Sequence, residues 1–129
     1  MRLLLDTCVA LWLFDGNAAI PVSVREQIID PAHEVYVSAV SVLEIVIKHQ
    51  LGKLFLKSAP ERLLPGLIEK HGLEVIALSV EDVFLLGRLP LRHRDPFDRL
   101  LVAQALARQM TLVTPDQKIM VYKVPCLWA

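Results

Sequence analysis

The sequence predicts an α/β fold, a three-layer α/β/α sandwich around a mainly parallel sheet of about four or five strands. Two observations predict it. Short apolar runs of β type alternate with longer segments of helical type along the chain. The chain also has one domain's length: 54% of its 129 residues are hydrophobic, enough for a two- or three-layer core. No repeat or linker divides it, so residues 1–129 read as a single domain.

The elements follow in order. Arg2-Leu3-Leu4-Leu5 is the first strand, ending at Asp6-Thr7 before a short helix that includes Leu11, Trp12 and Phe14. Pro21 opens a second helix, which fades at Asp30-Pro31. Glu34-Val35-Tyr36-Val37 is the second strand, and the helix after it starts at Ser38 or Ser41 and stops at Leu51-Gly52. Pro60 to His71 reads as a helix disturbed in its middle by Pro65. Gly72 precedes a strand over 73–78. Ser79 then caps a helix to Gly87 with Glu81 and Asp82 in its first turn. Pro96 begins a strong helix through Gln109, residues 110–114 form a fourth strand, and Tyr122 to Leu127 a fifth.

Composition excludes several classes of function. This apolar content with 22% charged residues excludes intrinsic disorder and low-complexity tails. Fourteen basic residues balance fourteen acidic ones, which argues against polyanion binding by bulk charge and leaves room for a local basic patch. Cys8 and Cys126 form no CxxC and no zinc-like spacing, so a reduced, cytoplasmic protein is expected, with Cys8 a small buried hydrophobe. No apolar run reaches the roughly 18 residues of a membrane helix, so no membrane partner is expected. Asp6 interrupts the apolar stretch from Leu3 to Phe14, which argues against a signal peptide.

The strand ends carry the chemistry. Asp6 ends the first strand and Thr114-Pro115-Asp116 ends the fourth, while Glu44 and Asp98 lie early in the helices after Ser38 and Pro96. In a parallel sheet these positions share one edge, where ligands bind. Each acid alone also reads as helix capping: Asp6-Thr7, Ser41-x-x-Glu44 as a capping box, Asp95-Pro96-Phe97-Asp98, and Thr114 or Asp116 ahead of a short helix. Together they read differently. Glu44 lies in an apolar helix with Val40 and Ile47 as neighbours, and an unpaired buried carboxylate costs several kcal/mol. Carboxylates gathered in one crevice repel, and an all-oxygen set without His or Cys selects Mg²⁺ or Mn²⁺ over zinc. Such a site commonly works on phosphate through metal-activated water. Arg88, Arg92, His93, Arg94 and Arg99 bracket Asp95–Asp98, and Lys48, His49, Lys53 and Lys57 form a second basic cluster. Each is either a phosphodiester contact or a solvated surface. Arg94, Arg99 and Lys48 are the candidate contacts to such a backbone.

These residues carry a family resemblance. Leu4-Leu5-Asp6-Thr7 with Leu11-Trp12, then Ser38-x-x-Ser41-x-x-Glu44-Ile45-x-Ile47-Lys48 and Leu51-Gly52-Lys53-Leu54, resemble the PIN domain. The run from Asp95-Pro96-Phe97-Asp98-Arg99 to Ala105, Leu112-Val113-Thr114-Pro115-Asp116 and the segment from Tyr122 to Trp128 continue the likeness in the family's order and spacing. In pattern the chain is most similar to VapC-type toxins, the ribonuclease half of toxin–antitoxin pairs. The resemblance implies that Asp6, Glu44 and Asp98 hold the catalytic Mg²⁺ or Mn²⁺, with Asp116 as a fourth acid. It implies that Thr114 orients an acid or water and that Asp95 supports the ligands from behind. It further implies RNA as substrate, a small antitoxin that blocks the groove, and a homodimer. Pro115 fixes the backbone before Asp116, turning that acid either toward the metal or away.

Two other metal-binding readings fit less well. A signalling receiver domain needs paired acids after the first strand and a Lys-Pro pair, and a dehalogenase-type phosphatase needs Asp-x-Asp; here the first strand ends Asp6-Thr7-Cys8 and no Lys-Pro occurs. A PIN fold kept for RNA binding without turnover is the remaining alternative, and no matched acid is replaced to favour it.

Overall fold

A computed structural model describes residues 1–92 and 95–129. Five strands form one sheet: β1 (Arg2–Leu5), β2 (Glu34–Ser38), β3 (Glu74–Ile76), β4 (Thr111–Val113) and β5 (Cys126–Leu127). Their order is β3-β2-β1-β4-β5 and every pairing is parallel. The helices are α1 (Thr7–Asp15), α2 (Val22–Ile29), α3 (Ala39–Gln50), α4 (Pro60–Lys70), α5 (Val80–Arg88) and α6 (Pro96–Ala107).

The two-residue period of the strands builds a core on each face of the sheet. Leu3, Leu5, Val35, Val37 and Val113 point to one side, where α1 and α2 cover them with Val9, Leu13, Val24 and Ile28. Leu4, Tyr36 and Leu112 point to the other, against Val40 of α3 and Leu101, Val102 and Ala105 of α6. Leu3, Leu4 and Leu5 are all fully buried, which explains why β1 is a continuous apolar run: a central parallel strand has no solvent face. Each such leucine contributes roughly 1.5–3 kcal/mol. This is the expected three-layer α/β/α sandwich. Trp12 and Trp128, whose rings lie 6.2 Å apart, pack against the first core, as the reading of that apolar material as core requires.

Several boundaries differ from expectation. The helix α3 is capped by Ser38, whose hydroxyl accepts from Val40 N at 3.0 Å, so the start at Ser41 is wrong. The helix α4 runs through Pro65: this residue lies in the exposed second turn, where one missing N–H leaves a carbonyl to water. The strand β3 shrinks from 73–78 to Glu74–Ile76 because it pairs on one side only, with β2. Tyr122 and Val124 are not in β5: the chain first makes a 3₁₀ turn at Ile119–Val121, burying Ile119 and Tyr122 against the second core, and pairs with β4 only at Cys126 and Leu127. Among the described residues no helix is long and apolar enough to cross a membrane.

Candidate active site

Strand order reverses at β1, with β2 on one side and β4 on the other, so a crevice opens at the carboxyl ends of β1 and β4. Asp6 stands at the end of β1 and is 4% exposed. Its Oδ1 accepts from Thr7 N at 2.7 Å, which starts α1, and its Oδ2 accepts from Thr114 Oγ1 at 2.7 Å. The fully buried Thr114 follows β4, and its hydroxyl in turn accepts from Asp116 N at 3.1 Å. One threonine thus fixes a carboxylate from the first strand and the turn that carries a second acid. Across the crevice, Thr7 Oγ1 donates to Ser41 Oγ at 2.8 Å, tying the start of α1 to α3.

Glu44 lies one turn further along α3 and is 5% exposed. Its Oε2 accepts from Lys48 Nζ at 2.6 Å, a pair one helical turn apart, while its buried Oε1 has no hydrogen-bond partner among the described residues. Asp95 caps α6, accepting from Phe97 N at 2.9 Å and Asp98 N at 3.3 Å, and so sets Asp98 in the helix's first turn. Asp6, Glu44, Asp95, Asp98 and Asp116 all line one cleft of about 360 Å³, together with Cys8, Lys48 and Lys53.

Burial raises the Asp6 carboxyl above its ordinary range; bonds from Thr114 and Thr7 oppose this, and the charges of Glu44 and Asp116 add to it. The Lys48 ammonium is held above its usual range, chiefly by its hydrogen bond to Glu44. Burial, then the charge of Asp6, pushes the Cys8 thiol up to about 12. Among the described residues no three His, Cys, Asp or Glu side chains draw in around a point as a closed ligand set. The donor chemistry nonetheless fits a hard divalent cation. The cleft-lining acids offer oxygen only, and the buried Glu44 Oε1 has no hydrogen-bond partner among the described residues.

The chain matches the PIN domain family over residues 3–124. It belongs to the PIN domain family. Solved structures share this PIN fold over nearly their whole length. VapBC2 from Rickettsia felis, bound to a DNA fragment from its promoter, has a TM-score of 0.76 at 18% identity, with 100% of both chains covered. DNA-bound VapBC from Salmonella typhimurium has a TM-score of 0.70 at 18% identity, covering 98% of this chain and 97% of that one. VapBC-5 from Mycobacterium tuberculosis, a member of the VapBC family of toxin–antitoxin systems, has a TM-score of 0.65 at 16% identity, covering 99% and 98%. At such identities the likeness is one of fold. No curated protein matches the sequence.

Within this PIN domain the four acids read from the sequence line one cleft; Asp95 lines it with them and accepts from the backbone N of Asp98, while the Thr114 hydroxyl bonds Asp6. Asp116 lines the cleft, and its Oδ1 accepts from Lys118 N at 2.9 Å. The capping-box alternative for Glu44 falls, because Ser38 caps α3 and Ser41 bonds Thr7. Lys48 stands in the cleft paired with Glu44. Arg99 does not line it: its Nη2 donates to the carbonyls of Leu86 and Leu89 at 3.2 and 3.3 Å, closing the end of α5. Arg94 lies outside the described residues. Cys8 is only half-buried and lines the cleft, its thiol donating to Asp6 Oδ2 at 3.7 Å.

One buried residue went unread in the sequence. Gln104 is fully buried in the run from Leu100 to Leu106, accepts from Ser38 Oγ, and donates to Asp82 Oδ2 at 3.0 Å and Ala77 O at 3.1 Å. Arg108 forks onto the same Asp82 at 2.6 and 3.0 Å. This network locks the cap of α3, which carries Glu44, to α6, which carries Asp98. A lone amide inside an apolar helical run was the available signal, since a buried amide needs partners.

Proposed function

We propose that this PIN domain is a metal-dependent endoribonuclease, the VapC-type toxin of a toxin–antitoxin pair. The observation that carries the reading is the cleft itself. Acids from the end of β1, α3, α6 and the turn after β4 converge there, and one buried oxygen of Glu44 has no hydrogen-bond partner among the described residues. Asp6, Glu44, Asp98 and Asp116 are the residues that would hold Mg²⁺ or Mn²⁺. When bound, the ion supplies the charge that activates a water and steadies the leaving oxygen of a phosphodiester.

The chain's own groups prepare that chemistry. Thr114 holds Asp6 Oδ2 in one orientation, Asp95 sets Asp98 at the start of α6, and the Ser38–Gln104–Asp82 network fixes α3 relative to α6. Lys48, about half exposed beside Glu44, offers an ammonium to a phosphate oxygen at the cleft. The VapBC neighbours, members of toxin–antitoxin systems, support an antitoxin as partner. Exposed Leu43 and Val46 on α3 and Val83 and Phe84 on α5 support a homodimer.

The test is cleavage of a mixed single-stranded RNA pool by the purified protein in Mn²⁺, Mg²⁺ or EDTA, alongside Asp98→Asn. Cutting that requires the ion and disappears in the variant is the expected result. A folded protein that binds RNA and never cuts it, with either ion, would leave a PIN domain used for binding alone.

A further inference from the structure

The loop joining α3 to α4 contains the sequence Lys53-Leu54-Phe55-Leu56-Lys57. Leu54 and Leu56 are half-buried and anchor it, while Lys53, Phe55 and Lys57 face water. Phe55 is 86% exposed, far beyond what folding alone would ask of a phenyl ring. A single exposed apolar side chain is common on protein surfaces, so exposure alone decides nothing. Its position decides more. Lys53 and Leu54 line the acidic cleft, and Phe55, Leu56 and Lys57 line the next hollow along the same loop, about 230 Å³, together with Phe14 and Asp15 of α1.

Among the described residues, Lys48 and Lys53 line the cleft beside its acids, and Lys48 also bonds Glu44. Lys53 lines the cleft, Lys57 the next hollow, and Phe55 stands between them in the loop. Cation, aromatic, cation is the arrangement that holds a single strand: ammonium groups take phosphates, and a base stacks on the ring irrespective of its identity. A protein partner would favour a broader apolar patch than one ring set between two lysines.

We propose that this loop is a single-stranded RNA subsite beside the cleft, with a base stacked on Phe55 and the flanking phosphates on Lys53 and Lys57. The proposal rests on the nuclease reading. Its ligand is an unpaired nucleotide next to the cleaved bond, so the loop selects unpaired over duplex RNA and contributes little base preference.

The test uses the full chain carrying Asp98→Asn, so that binding is read without turnover, and a short fluorescein-labelled oligoadenylate with one 2-aminopurine. Phe55→Ala should weaken binding roughly 5- to 150-fold and abolish the quenching of 2-aminopurine, whereas Phe55→Trp keeps both. Phe55→Leu, apolar but not aromatic, should behave as the alanine variant does. Lys53→Ala and Lys57→Ala should each lower the salt dependence of binding by about one counterion. Unchanged affinity and quenching in Phe55→Ala overturn the subsite alone. An altered oligomeric state with unchanged RNA binding overturns it too, assigning the ring to a protein contact. No oligoadenylate binding by the parent protein would overturn the subsite, and cleavage of the mixed RNA pool then decides separately whether the nuclease reading survives.

Discussion

Replacing Arg108 with Met should destabilise the fold by about 3–5 kcal/mol at neutral pH, because it leaves a buried carboxylate without its cation. Asp82 is 1% exposed, and Arg108 grips both its oxygens, at 2.6 and 3.0 Å. Methionine retains most of the arginine stem's packing, so the loss reports the charge. Burial alone would raise the Asp82 carboxyl, but Arg108, Ser79 and Gln104 overcome it and hold the group at about 2. A carboxyl lowered on folding stabilises the native state above its unfolded value of 3.8, and that stabilisation fades as pH falls toward about 2. The shift corresponds to about 2 kcal/mol. In Arg108→Met only Ser79 and Gln104 oppose burial, so the deficit relative to the parent should be largest at neutral pH and should shrink on acidification. Urea unfolding of both proteins from neutral pH down to about pH 3 measures this, with a melting temperature lowered by roughly 10–20 °C at the neutral end. A deficit below about 1 kcal/mol, or one that does not change with pH, would refute the coupling.

Asp6→Asn and Asp98→Asn should each abolish cleavage while circular dichroism shows an intact fold; wild-type rates from either would remove that acid from the mechanism. Mn²⁺ at about a hundredfold excess over its Kd should stabilise the protein by about 2.7 kcal/mol, reversibly with EDTA, and Glu44→Gln should lose much of that gain in a thermal melt. Thr114→Val, which keeps the shape and removes the hydroxyl between Asp6 and Asp116, should weaken metal affinity by roughly 10- to 100-fold, read by calorimetry. Gln104→Leu leaves Ser38 and Asp82 each short of a partner and should cost about 1–3 kcal/mol in denaturant unfolding.

The site was legible to the extent that it depends on strand ends. Asp6 follows an apolar run that only a central strand tolerates, and Asp95-Pro96 states a helix start, so both acids fall at the edge where a parallel sheet binds ligands. What escaped is what three-dimensional partners decide. Ser38 and Ser41 are equal candidates as caps, and only the bond from Thr7 shows why Ser41 is needed elsewhere. Arg99 reads as a phosphate contact until α5 ends beside it and offers two carbonyls. Gln104 lies in a segment that scores as apolar all round, and its polar partners come from three distant segments. The fifth strand was overextended because a buried 3₁₀ turn and a strand share the same apolar composition.

The hydrogen bond between Thr114 and Asp6 joins residues 108 positions apart, and β1 finds its second neighbour only when β4 arrives. Contacts of that span close late and slowly in folding. During synthesis the first acid leaves the ribosome long before Thr114 and Asp116 exist to orient and complete its surroundings. On the nuclease reading proposed above, a growing chain therefore carries the pieces of the cleft well before it carries the cleft itself.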